Sequence, residues 1–371
     1  MNRNLCSALA AAAALALAAP AAHAAPERLG RAPGGDSFAV IAGTPYAAYA
    51  TRAGVRVVSF SGRWKKVGKV VVHRKGDAVR DAQVAGGPGG HPWLTWTENT
   101  RHKGFQVRVA RLAGGRWREV VGGANPISTF EGDPYDSYTS ASPQIAFLGK
   151  RPYVVFHESS TDTQVHAVRL SASGRRWQHV SRGLPLATTE TPLVIASAGG
   201  RIYVEAYEYL YKAPDYFRFD SGERKWVDLP HVQQSDHARF GGMIGFGGKL
   251  HTFVTPRPDT SQPDEPPFVG ALGSDDSWSH VGEALPSGVD PQSIATDGSA
   301  LYVAYIAGHK LTVDVLNGST WQALPDGVPA GAVVESARLA GAAGGGVWLF
   351  TREKAADGSG SFQLSLYGAE D

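Results

Sequence analysis

One cysteine, Cys6, occurs in 371 residues, and it falls within the first two dozen. That leading stretch, "MNRNLCSALAAAAALALAAPAAHA", has a positive start at Arg3, an Ala/Leu-rich run and a small-residue cleavage pattern at Ala22-His23-Ala24. It reads as a signal peptide over residues 1–24, with one mature domain over 25–371. Removing it removes the only cysteine. No disulfide, no cysteine nucleophile and no cysteine metal ligand is then expected, and stability must come from core size. A chain of this length buries roughly three quarters of its unfolded surface. The expected address is secreted or periplasmic, at the cell envelope.

Charge of one sign is also missing. Lys and Arg total 36 against 34 Asp and Glu, a formal net charge of +2. That balance offers no electrostatic footprint for nucleic acid or an anionic membrane. Once the leader is gone, no membrane span is expected. Catalytic signatures are scarce as well: there is no G-x-S-x-G nucleophile elbow and no phosphate-cradling loop. "HESST" (157–161) opens like a zinc-binding H-E-x-x-H but carries Thr161 where the second His belongs, and it reads as loop. No metal and no cofactor is expected.

Almost no segment carries the 3.6-residue helical period. What recurs instead is a short strand, a Gly turn and a Trp: "VVSFSGRWKKVG" (57–68), "VARLAGGRWREVVG" (109–122), "VRLSASGRRWQHV" (168–180), "FRFDSGERKWVDLP" (217–230), "GALGSDDSWSHVG" (270–282) and "LTVDVLNGSTWQAL" (311–324). Trp64, Trp117, Trp177, Trp226, Trp278 and Trp321 stand 43 to 60 residues apart. Upstream of each, a Gly precedes an aromatic in alternating sequence, as in "GTPYAAY" (43–49) and "GGRIYVEAY" (199–207), and this second signal occurs seven times. Each unit holds four short strands of period two. Seven such units of about 50 residues predict an all-β, seven-bladed β-propeller of four-stranded antiparallel blades. The seventh unit stops after three strands, and "PERLGRAPGGD" (26–36) reads as its missing fourth. The ring is therefore expected to close with the N-terminal strand completing the last blade. A Trp at one place in six blades reads as inter-blade packing rather than six ligand-binding aromatics.

At "GGRIYVEAYEYLYKAPDYFRFDSGERKWVDLP" (199–230) the unit resembles a kelch repeat; the others resemble the "G-x-P-Y-V-A-Y … W-x-x-V-G" repeats of exported bacterial propeller proteins. The resemblance implies the fold alone, since such propellers serve as lectins, scaffolds and enzymes. Galactose-oxidase-like copper chemistry needs a cysteine that the mature chain lacks. A sialidase-like S-x-D-x-G-x-x-W box is approached by "FDSGERKW" (219–226), but the leading Ser is absent and the Trp comes one residue late. Polysaccharide lyases on seven-bladed propellers use His, Tyr and Arg, and no motif of theirs matches residue by residue.

Alternate turns of a blade share an end. The first-to-second and third-to-fourth turns are short, whereas the second-to-third loops and the blade crossings collect the length variation, which is where function concentrates on a rigid scaffold. The largest departure is the crossing at 125–143, with Glu131, Asp133, Tyr135, Asp136 and Tyr138. Neighbouring loops add Arg101, His102, His157, Glu158, Tyr211, Asp236 and His237. Aromatics alternating with carboxylates suit a sugar, by stacking and by hydroxyl hydrogen bonds. A plain solvated loop accounts for the same residues individually. Three readings result. The first is a non-catalytic recognition propeller for a glycan or an extracellular protein. The second is a polysaccharide lyase or glycoside hydrolase at the same face, with His102 or His157 as base and Tyr135 or Tyr138 as acid. The third is a cell-envelope scaffold.

Overall fold

The computed structural model describes residues 26–72, 77–100, 104–121, 142–159, 163–180, 193–208, 213–223, 225–232, 239–255, 266–329, 332–354 and 359–368. The leader and Arg101, His102, Glu131, Asp133, Tyr135, Asp136, Tyr138, Tyr211, Asp236 and His237 lie outside them. Seven four-stranded antiparallel sheets form a ring, and the described residues are otherwise almost without helix. The first strand of each blade is the innermost. In order these are Ser37–Ile41, Ala78–Gly86, Gln144–Leu148, Leu193–Ala198, Arg239–Phe246, Asp290–Thr296 and Val333–Gly341, in blades 1 to 7. Among the described residues no helix is long and apolar enough to cross a membrane.

Closure follows the expectation. Glu27–Ala32 pairs antiparallel with Gly360–Gly368, from Glu27 opposite Leu366 to Ala32 opposite Phe362, with one bulge between Arg28 and Gly30. It becomes the outer, fourth strand of blade 7. The Arg28 guanidinium reaches back across the blade to Glu353 at 3.0 Å, and the Thr351 hydroxyl donates to the same carboxylate at 2.8 Å.

The core is divided into wedges, one between each pair of neighbouring blades. The repeated tryptophans explain why. They pack toward the blade before their own: Trp64 meets Phe350 of blade 7 edge-on, Trp226 shares a buried cluster with Tyr153 and Val155 of blade 3, and Trp321 packs against a cluster that includes Phe253 and Val269 of blade 5. Two indoles add a directional contact. Trp117 donates to the Val67 carbonyl and Trp278 to the Pro230 carbonyl, both at 2.8 Å. The Gly that ends the W-x-x-V-G pattern belongs to this contact. Gly68 has φ +68°, and a Cβ there would lie 2.9 Å from the Trp117 ring, so both the backbone and the indole exclude a side chain. Inner strands are stitched as well, with the Ser37 and Ser293 hydroxyls accepting from the backbone N–H of Val84 and Leu339, each at 3.0 Å.

One local expectation needs correction. "TENTRHKGF" and "HESST" read as loop from their polar composition, yet the second strand of blade 2 runs from Pro92 to Thr100, and that of blade 3 from Arg151 to Ser159. Polar residues persist in these strands because they have partners. Trp96 Nε1, for example, donates to Glu98 two residues on at 2.8 Å, where both side chains are fully buried.

Candidate functional site

Antiparallel connectivity puts the starts of all seven inner strands at the end that also carries the blade crossings and the second-to-third connections. The mouth of the central channel opens there. Its depression has a volume of about 510 Å³ and is lined from five blades. Blade 1 contributes Asp36 beside its inner strand; blade 2 contributes Asp81 and Gln83, blade 3 Gln144, blade 4 Leu193, and blade 7 Ser336, Arg338 and Arg352. Phe350 and Phe362 form an apolar wall. Phe350 is the middle ring of a stack, 4.8 Å from Phe38 and 5.5 Å from Phe362. Gly35 lets the chain cross that stack, since a Cβ there would sit 2.5 Å from the Phe350 ring.

Bulges aim these side chains. The inner strands of blades 2, 5, 6 and 7 each slip register near their starts, between Arg80 and Gln83, Phe240 and Met243, Pro291 and Ser293, and Val334 and Ser336. An extra residue bends the strand and turns side chains out of the ordinary alternation. Asp81 sits in such a bulge at φ +53°, a left-handed conformation that an Asp adopts more readily than most residues.

Charge at the mouth is mixed. Arg338 projects from the inner strand of blade 7 with much of its surface open to the channel, and it makes no side-chain hydrogen bond or ion pair among the described residues. Protein encircles it even so, and that desolvation lowers its pKa while Asp36 acts in the opposite sense. Burial raises the Asp81 carboxyl, with Arg80 and the Thr97 hydroxyl opposing and Asp36 reinforcing the rise. Asp36 accepts the Ala50 N–H at 2.7 Å. Arg352 is held by Glu335 at 2.9 Å. Among the described residues, Arg338 is therefore the mouth cation without a carboxylate in contact.

Of the sequence-derived site residues, His157 and the backbone of Glu158 fall within the described region, both near the end of the second strand of blade 3. His157 is only 3% exposed, and desolvation takes its pKa down to about 4, so the imidazole is neutral at pH 7. The mouth residues escaped the sequence reading. A signal was present in "RDAQVA", "SPQIAF", "DPQSIA" and "VESARLA", where polar residues interrupt the inner-strand runs at comparable places.

A second titratable group lies inside the wedge structure. Glu205, on the second strand of blade 4, is 1% exposed, and neither carboxylate oxygen has a hydrogen-bond partner among the described residues. Desolvation raises its pKa to about 8. The unfolded chain gives up this proton near pH 4.5, whereas the folded protein keeps it to about pH 8. This group's contribution to stability accordingly falls as pH rises between those values, and its full cost is felt above pH 8. Glu205→Gln should leave thermal stability unchanged at pH 4 and raise it at pH 9, by on the order of a few kcal/mol. Equal shifts at both pH values, in melts followed by circular dichroism, would contradict a buried neutral carboxyl.

No protein-family model matches the chain, and no curated protein matches its sequence. Solved structures do match in three dimensions. A polysaccharide lyase, Uly1, superimposes with a TM-score of 0.54 at 13% identity, over 92% of this chain and 91% of its own. A puromycin-hydrolysing peptidase of Mycobacterium tuberculosis gives 0.55 at 12% identity, covering 88% of this chain but 51% of its own length. These likenesses show the fold alone. The ring is a seven-bladed β-propeller.

Proposed function

We propose that the protein is an exported, non-catalytic recognition propeller that binds a carbohydrate at the mouth of its central channel. The observation that carries the reading is Arg338: a guanidinium on a rigid inner strand, without a hydrogen-bonding partner among the described residues, in a concave space of ligand size. Small-ligand sites are concave, a few hundred Å³ in volume, with a few converging polar groups against an apolar surface. The mouth supplies that combination through Arg338, Gln83, Gln144, Asp36 and the Phe350–Phe362 wall. Hydroxyl-rich ligands suit amide and carboxylate partners, and a planar guanidinium suits an oxygen pair. The fold-level likeness to a polysaccharide lyase makes polysaccharides the first partner class to examine.

Binding to a panel of neutral and uronate-bearing polysaccharides, measured by calorimetry together with product analysis, tests this. Saturable binding is expected, weakened at least about tenfold by Arg338→Ala, the loss of one charge-assisted hydrogen-bonding group. Neither new reducing ends nor unsaturated sugars should accumulate. Release of such products, abolished by His102→Ala or His157→Ala, would establish the lyase or hydrolase reading instead. Binding indifferent to Arg338→Ala would remove the mouth as the site.

A further inference from the structure

A groove of about 610 Å³ lies on the opposite end of the ring, between blades 2 and 3. The first-to-second turns at this end are two residues long in blades 1, 3, 4 and 5 and four residues long in blades 6 and 7. Blade 2 has the longest of them, the five residues "GPGGH" (87–91), and this turn builds one wall of the groove. The turn is internally bonded: the Gly87 N–H donates to the His91 carbonyl at 2.8 Å, and the Gly90 N–H to the Gly87 carbonyl at 3.1 Å. Pro88, Pro92 and Leu112 give the groove apolar surface, with Trp93 beneath, its indole meeting Phe147 edge-on at 5.4 Å.

The polar lining is of one kind. Arg111, Lys150 and His91 face the groove, and among the described residues no carboxylate does. None of the three makes a side-chain hydrogen bond or ion pair among the described residues. Arg28, Arg218 and Arg352, by contrast, each contact a carboxylate at 3.0 Å or less. An arginine and a lysine on separate blades, sharing an apolar-walled cleft of ligand size with no acid among its described lining residues, complement an anion that also has an apolar face.

We infer that this groove is a second ligand site, distinct from the mouth, for an oxyanion-bearing sugar residue. The sulfate or carboxylate would be held by Arg111 and Lys150, with the ring's C–H face against Pro88, Pro92 and Leu112. A sulfate ester and a uronate present the same chemistry, and the test separates them. The site does not depend on the mouth being functional.

Calorimetric titration of the full chain uses four probes: a sulfated disaccharide, a uronate disaccharide without sulfate, a neutral disaccharide, and inorganic sulfate alone. Saturable binding of at least one anionic disaccharide is expected, weakening as salt rises. Arg111→Ala/Lys150→Ala should weaken it at least about tenfold, whereas the charge-matched variant Arg63→Ala/Lys249→Ala, at exposed positions of blades 1 and 5, should leave it unchanged. Arg111 and Lys150 are exposed as well, and an unaltered melting temperature would confirm that the fold survives. The inference is overturned if neither anionic disaccharide binds, if the neutral one or bare sulfate binds as tightly, or if the double variant binds normally. Loss of binding in Arg338→Ala alone would move the ligand to the mouth, overturning this site while supporting the other.

Discussion

Deletion of residues 26–32 is expected to abolish cooperative folding to a soluble monomer. The segment is short, but it supplies the fourth strand of blade 7 and the only covalently remote seam in the ring. Without it, Gly360–Gly368 becomes an open edge whose unpaired N–H and C=O groups invite pairing with other chains. Leu364 and Tyr367, now 0% and 3% exposed, lose part of their cover. A milder variant separates pairing from charge. Arg28→Ala keeps the strand but strips the partner from Glu353, whose side chain is 9% exposed. Removing one side of a largely enclosed pair costs about 1–3 kcal/mol, with the Thr351 hydroxyl still serving the carboxylate. Size-exclusion chromatography and urea unfolding check both. A deletion variant that elutes as a monomer with an intact transition would refute closure by this strand.

Trp96→Ala carries the largest expected effect of any single substitution. Trp96 is the bulkiest of the fully buried side chains. It fills the wedge between blades 1 and 2, among Ile41, Ala48, Val57, Val84 and Leu94. Truncating an aromatic of this size in a close-packed core costs about 3–5 kcal/mol, because neighbours held by two sheets collapse only partly into the space. The indole N–H also donates to buried Glu98. Trp96→Phe keeps most of the volume and removes that donor, so its cost should be smaller, about 1–3 kcal/mol. Chemical denaturation of both variants distinguishes the terms. Equal costs would assign the effect to the hydrogen bond, and a cost near zero for Trp96→Ala would mean that the wedge repacks freely.

How much of this was readable beforehand depends on the range of the interaction concerned. Seven Gly-aromatic signals and six spaced tryptophans state the blade number, because each blade must present the same surface to its neighbour. The packing of Trp64, Trp226 and Trp321 toward the preceding blade is that requirement met. Closure was legible too, since a seventh unit lacking one strand and a strand-like N-terminus are complementary omissions. The boundaries of polar strands were not. The ends of Pro92–Thr100 and Arg151–Ser159 look like loops by composition and are held as strand by cross-strand pairing and a Trp–Glu contact.

The mouth was still less accessible. Asp36, Asp81, Gln83, Gln144 and Arg338 are spread over about 300 residues, and none belongs to a contiguous motif. Asp81 and Ser336 are aimed by bulges, one-residue insertions that leave periodicity nearly intact and reverse the facing of individual side chains. Length variation directed attention to the end of the ring where the mouth opens, but to its loops rather than to the inner-strand starts. The groove beside Lys150 has the same character: its Gly-Pro turn is visible in the sequence, whereas the sharing of one groove by Arg111 and Lys150 is not.

The amino-acid sequence alone determined that this protein is a closed ring of seven like sheets, because that architecture is written repeatedly in local alternation, turn glycines and a packing indole. Tertiary structure alone decided which polar groups share a space. Those groups come from different blades, and their meeting depends on the convergence of inner strands and on bulges whose sense no linear pattern records.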